Sequence, residues 1–142
     1  MNVPDLAFAT LDRDQGDRFQ SLRRELGASA VGLNMIVLQP GQRGRIHAHA
    51  HQEEIFLVLE GELTVVVEGV DHHVATDGLV RVAPAARRQL VNAGPARLVL
   101  LAIGAAGAHA GRDAVAWTDW DDDGPGRPPQ ETPLPADLPG PA

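Results

Sequence analysis

Between Ala30 and Ile103 the apolar residues fall in short runs, and each run ends at a turn signal. Val31, Leu33, Met35 and Val37 recur at every second position and stop before Pro40-Gly41. Ile55 to Leu59 closes at Glu60-Gly61, Leu63 to Val67 follows, and Glu68-Gly69 suits a tight hairpin. Val74 leads into Asp77-Gly78, and Leu79 to Ala83 ends at Pro84. Leu90 and Val91 precede Asn92-Ala93-Gly94-Pro95, and Leu98 to Ile103 completes the series. Side chains two apart share one face of a strand. Short strands with turns at this spacing predict an all-β sandwich or barrel. No helix-length amphipathic segment interrupts them, which argues against a βαβ fold.

The two ends differ from this core. In the arm formed by residues 1–29, Phe19, Leu22 and Leu26 fall at helical spacing, with Gly27 as a natural stop. The same segment reads equally well as an edge strand, so periodicity leaves both open. The barrel core is expected over residues 30–104, followed by an extension over 105–142. From Asp119 onward this extension holds seven of the 11 prolines and the acidic positions Asp119, Asp121, Asp122 and Asp123. It reads as a polyproline-like tail, with Trp117 and Trp120 as its anchors.

Composition narrows the chemistry. The 142 residues suffice for one domain with one sizeable core. The formal net charge is −7 and the arginines are scattered, which argues against nucleic acid as a partner. There is no cysteine, so disulfides, thiolate metal ligands and a Cys nucleophile are excluded. Any metal must be held by imidazole and carboxylate. The first residues do not read as a signal peptide, and the apolar stretch Leu98 to Ala110 is too short to span a bilayer. A cytoplasmic protein without membrane association is expected.

The richest segment runs from Gly41 to Gly61. On an extended strand His47 and His49 point the same way, and a carboxylate a few residues later can return across a bend to meet them. Two imidazoles and one carboxylate can hold a first-row divalent ion with open positions. Gly41, His47, His49, Glu54 and Gly61 resemble, at every spacing, the first motif of the cupin superfamily: Gly, five residues, His-x-His, three or four residues, Glu, six residues, Gly. The resemblance covers residues 30–104, about half of the chain, and implies a double-stranded β-helix (jelly-roll) barrel. It also implies that His47, His49 and Glu54 are three of the family's usual four metal ligands. The second cupin motif is incomplete. Gly78 and Pro84 fit it, Asn92 is near its place, Ala86 stands for a glycine, and the loop is one residue short. The place of the fourth ligand, a histidine in the motif, falls on Arg88 or Gln89. A buried guanidinium is costly to desolvate, so Gln89 is expected to face the lumen and Arg88 the solvent.

The remaining polar residues carry weaker signals. His51 shares strand parity with His47 and His49 and reads as a rim residue within reach of a substrate. Glu53 reads as a solvated neighbour of Glu54, and His72 and His73 as exposed hairpin residues. His109 lies in the Gly/Ala-rich stretch leaving the barrel, with no evident partner. Arg81, Arg87 and Arg88 read as surface charges or as a clamp for a substrate carboxylate, the pocket position being expected chiefly of Arg88.

The functional expectation is a small cupin that binds a divalent metal (Fe, Mn, Ni or Zn) through His47, His49 and Glu54. Its reaction would be that of an oxygenase, isomerase or related enzyme on a small organic acid. Gln89, Arg88 and His51 are the candidate substrate-binding residues. The alternative is a metal-free barrel that binds a small acid or sugar without catalysis. A homodimer is expected in either case, because unpaired sheet edges need cover.

Overall fold

A computed structural model of the chain describes residues 5–105 and 113–140. Ten strands form two antiparallel five-stranded sheets that face each other. In chain order they are β1 (Phe19–Ser21), β2 (Gly32–Leu38), β3 (Ile46–His49), β4 (Glu53–Glu60) and β5 (Leu63–Val67). Then come β6 (Val70–Val74), β7 (Leu79–Val82), β8 (Arg88–Val91), β9 (Leu98–Ala105) and β10 (Ala114–Trp117). One sheet has the order β1-β2-β9-β4-β7 and the other β10-β3-β8-β5-β6. This is an all-β barrel, as the short runs predicted, and the jelly roll that the cupin resemblance implied.

Period-two burial builds the interior. Ile36 and Leu38 of β2, Phe56 and Val58 of β4, Leu63 and Val65 of β5 and Leu98 and Leu100 of β9 pack between the sheets. The opposite face of β2 and β9 is covered as well. Met35, Val37 and Val99 pack against Leu22 of a short helix, α1 (Leu22–Leu26). Both readings of the arm are therefore realised in sequence. Three residues add β1 to the edge of β2, then one helical turn follows, capped by Ser21 and stopped by Gly27 at φ 67°.

Two turns explain why particular residues stand where they do. Glu68 and Gly69 both have positive φ, 48° and 79°, as a two-residue hairpin with right-handed strand twist requires. Gly61 also has a positive φ of 79°, and a Cβ there would collide with the Arg97 carbonyl oxygen. That position tolerates only glycine.

The ends are not appendages to the barrel. β1 and β10 are edge strands, one in each sheet. Both strands are too short, at three and four residues, to show alternation. Beyond β10 the proline-rich chain runs over the outer face of β3 and β8. Arg43 Nε donates to the Ala136 carbonyl (2.7 Å), Arg45 Nε to the Thr132 carbonyl (2.7 Å), and Leu138 N to the Gly41 carbonyl (2.7 Å). Trp117 and Trp120 anchor the tail as expected. The Arg87 guanidinium lies 5.5 and 5.7 Å from their ring centroids, and Trp117 Nε1 donates to the Gly124 carbonyl. No helix among the described residues is long and apolar enough to cross a membrane.

Candidate metal centre

His47 and His49 stand on β3, in one sheet, and Glu54 stands on β4, in the other. Strand parity sends both imidazoles into the lumen, while Ile46 and Ala48 turn to the outer face beneath the tail. Glu54 comes back across the bend at residues 50–52 and meets them from the opposite wall. One ligand atom from each of the three residues lies within 4.8 Å of the others. They face a cavity of about 420 Å³, whose walls include Ile36, Leu38, Phe56 and Leu90.

The proton bookkeeping at this point is unusual. His47 Nδ1 lies 3.1 Å from the Arg45 carbonyl oxygen, which can only accept, so Nδ1 carries the hydrogen. The Nε2 of the neutral ring then presents a lone pair, and it faces Glu54 Oε1 at 3.1 Å. His49 Nε2 approaches the same oxygen at 3.2 Å, and neither buried ring nitrogen of His49 makes a hydrogen bond among the described residues. A lone pair facing a carboxylate oxygen is favourable only when a proton or a cation lies between them. Burial pushes the Glu54 carboxyl up, but the close approach of the His47 and His49 rings outweighs it. They hold Glu54 well below the usual carboxylate range.

A divalent ion satisfies the same geometry. Bonds of about 2.1 Å give adjacent ligand atoms a separation of roughly 3.0 Å in an octahedron and 3.4 Å in a tetrahedron. The observed 3.1 and 3.2 Å contacts fall between these values. Two imidazoles and one carboxylate are the donor set of an open first-row site, so the residues present fit a metal.

Arg88 reverses the sequence expectation. It is wholly buried and points inward beside His47, its cross-strand partner, with Nε 3.2 Å from Glu54 Oε1. Its guanidinium donates to the carbonyls of Pro84 (3.0 Å), Ala86 (2.7 Å) and Ala83 (3.3 Å), tying down the shortened loop. Burial lowers its pKa from the ordinary value and Glu54 opposes that shift. It stands behind Glu54 and does not line the cavity, so it is a brace rather than a clamp for substrate. Gln89 turns the other way. Its Nε2 donates to the Gly44 carbonyl at 3.0 Å, and with Ile46 and Trp117 it lines a small cavity under the tail. The cost argument failed because the loop carbonyls and Glu54 solvate the buried guanidinium.

His51 is exposed on the bend between β3 and β4 and does not line the cavity. Glu53 pairs with Arg81 at the surface (3.0 Å), and His72 and His73 are exposed on β6. His109 lies outside the described residues.

Sequence reasoning missed Asp113. Its carboxylate accepts from the backbone N–H groups of Ala50 (3.1 Å), His51 (3.1 Å) and Gln52 (2.8 Å) and stands 3.6 Å from His49 Nδ1. It caps the bend that separates the histidines from Glu54 and places a carboxylate behind His49. Burial pushes its carboxyl up, while the N–H bonds and His49 more than offset this and leave it below the usual range. An aspartate far down the chain from the motif carries no local signal of this role.

Comparison with known proteins agrees with this fold. No curated protein sequence matches the chain. Among solved structures, a cupin protein from Bacteroides fragilis is similar, with a TM-score of 0.66 and 19% identity over 72% of this chain and 86% of that one. A sugar phosphate isomerase of the cupin superfamily from Silicibacter pomeroyi has a TM-score of 0.57 and 28% identity, covering 61% of this chain and 57% of that one. A proposed sugar phosphate isomerase from Acidithiobacillus ferrooxidans has a TM-score of 0.57 and 29% identity, covering 65% of this chain and 58% of that one. The chain thus spans little more than half the length of the two isomerase structures. The family described as Cupin domain matches residues 34–104, the stretch from β2 to β9 that carries all three converging side chains, and the chain belongs to it.

Proposed function

We propose that the chain is a metal-dependent cupin that holds a divalent first-row ion (Fe, Mn, Ni or Zn) on His47, His49 and Glu54. Its substrate is a small oxygen-bearing compound, an organic acid or a sugar derivative, admitted to the cavity above them. The observation that carries this reading is the convergence of three ligand atoms within 4.8 Å at the wall of a cavity. A bound ion supplies Lewis-acid polarisation of a substrate oxygen. The protein's part is positioning. The Arg45 carbonyl sets the tautomer of His47, Asp113 backs His49, and Arg88 fixes the Glu54 carboxylate. The apolar walls limit water around the reacting group. Among the reaction classes open to a cupin, the two isomerase structures at 28% and 29% identity favour isomerisation.

A metal-free binding barrel is the second reading, and Arg88 is the observation in its favour, since a fixed guanidinium at the fourth-ligand place opposes a dication. Elemental analysis of protein purified without chelators separates the two. Metal near one ion per chain, lost in His47→Ala and Glu54→Ala but kept in His51→Ala, supports the enzyme. Substoichiometric metal that is indifferent to His47→Ala supports the binder. We also infer a homodimer, because Leu6 and Phe8 of the N-terminal segment are 69% and 83% exposed and a partner subunit would cover them.

A further inference from the structure

The cavity above the candidate metal centre has an unbalanced charge. Its lining includes two arginines, Arg18 and Arg45, and one carboxylate, Glu54, which Arg88 already matches. Arg18 stands just before β1 and Arg45 just before β3, so both sit where the C-terminal segment crosses and Pro129 and Gln130 complete the wall. Several other partly sheltered arginines are closely matched by carboxylates, although Arg23 and Arg43, which do not line the cavity, have none within 4.0 Å among the described residues. Arg97 meets Glu60 and Asp14 at 2.8 Å each, Arg88 meets Glu54 at 3.2 Å, and Arg87 meets Glu68 at 3.3 Å. Arg45 has no carboxylate within 4.0 Å among the described residues, and its one hydrogen bond runs from Nε to the Thr132 carbonyl. Arg18 donates to the Arg43 carbonyl at 3.0 Å, and its only carboxylate within 4.0 Å among the described residues is Asp137, at 4.0 Å and 59% exposed. A chain of net charge −7 with 19 acidic residues leaves two cavity-lining guanidinium groups without close counter-ions.

We propose that this cavity takes a small anionic ligand, whose carboxylate or phosphate group pairs with Arg18 and Arg45. The planar, multi-donor guanidinium recognises both groups. The apolar walls exclude water from the pair and strengthen it. The far end of such a ligand then faces His47, His49 and Glu54, and this part alone rests on the metal reading.

The test is calorimetric titration at fixed ionic strength with three probes of similar size: glycerol 3-phosphate, lactate and glycerol. Each is added to chelator-treated and to metal-loaded protein. The parent is expected to bind at least one of the two anions and not glycerol, and the anion preferred identifies the group. Arg18→Gln and Arg45→Gln are expected to weaken that binding about tenfold or more each, as loss of a charged hydrogen bond implies. The exposed Arg81→Gln is expected to stay within about twofold of the parent. Thermal melts confirm that each variant is folded, and Arg18→Lys and Arg45→Lys are expected to restore part of the affinity. Failure of both anions to bind at millimolar concentration, equal binding of glycerol, or indifference to both glutamine variants overturns the proposal. Anion binding that persists in chelator-treated protein upholds it even if the metal reading fails. Metal binding without anion binding overturns it and leaves the metal reading standing.

Discussion

Replacing Arg88 with methionine removes the one cation enclosed behind the candidate metal centre. The side chain is wholly buried, bonds to three loop carbonyls and stands 3.2 Å from Glu54 Oε1. Methionine fills similar volume but returns none of those donors, and it leaves the buried Glu54 carboxylate without its guanidinium partner. Breaking a buried pair from one side costs about 3–5 kcal/mol. For a chain of this length that lowers Tm by roughly 10–15 °C. Urea unfolding followed by circular dichroism, in chelator-treated protein at pH 7.5, reads the loss directly. Adding Glu54→Gln to Arg88→Met removes the stranded charge, so the double variant is expected to recover about 1–3 kcal/mol relative to the sum of the single losses. A loss under about 1 kcal/mol in Arg88→Met, or strict additivity in the double variant, would refute the view that Arg88 is the internal counter-ion of Glu54.

Arg88→His places an imidazole on the lumen side and removes a repelling charge, so divalent metal affinity is expected to rise. Gln89→His places one under the tail and is expected to leave affinity unchanged. Competition with a chromogenic chelator ranks the two, and the opposite order contradicts the orientation of β8. Asp113→Asn is expected to cost about 1–3 kcal/mol at neutral pH, because the amide keeps one acceptor oxygen but no charge for the three N–H donors. The Asp113 carboxyl is held below its ordinary value, so its contribution is full above about pH 3.9 and is lost as pH falls through the lowered one. Stability curves of parent and variant are therefore expected to converge in acid, and a constant gap down to the lowest pH reached contradicts the charge argument. Sedimentation velocity at about 50 μM is expected to show a dimer, and Phe8→Ser to weaken it, whereas a monomer at that concentration refutes the expectation.

Much of this molecule was legible from the chain alone, and the parts that were not share a cause. The short apolar runs at Val31 to Val37 and Leu63 to Val67, each closed by a turn signal, became strands. Gly41, His47, His49, Glu54 and Gly61 were legible because their spacing encodes a bend between two strands of opposite sheets. The orientation of β8 was not, since Arg88, Gln89, Leu90 and Val91 are all buried. The barrel covers one face of β8 and the proline-rich tail the other, which erases the alternation that would have shown its parity. Asp113 was invisible for a related reason. Its partners are backbone N–H groups of a bend, which leave no side-chain pattern to pair it with.

The central claim is that His47, His49 and Glu54 form one metal site, and cobalt(II) titration of chelator-treated protein tests it most directly. The account predicts a visible absorption band that saturates at one ion per chain. The band is lost in His49→Ala and in Glu54→Ala and kept in His51→Ala, and it fades on acidification as the imidazoles take up protons. A chain that binds no cobalt, or binds it equally well without His49 and Glu54, would contradict it.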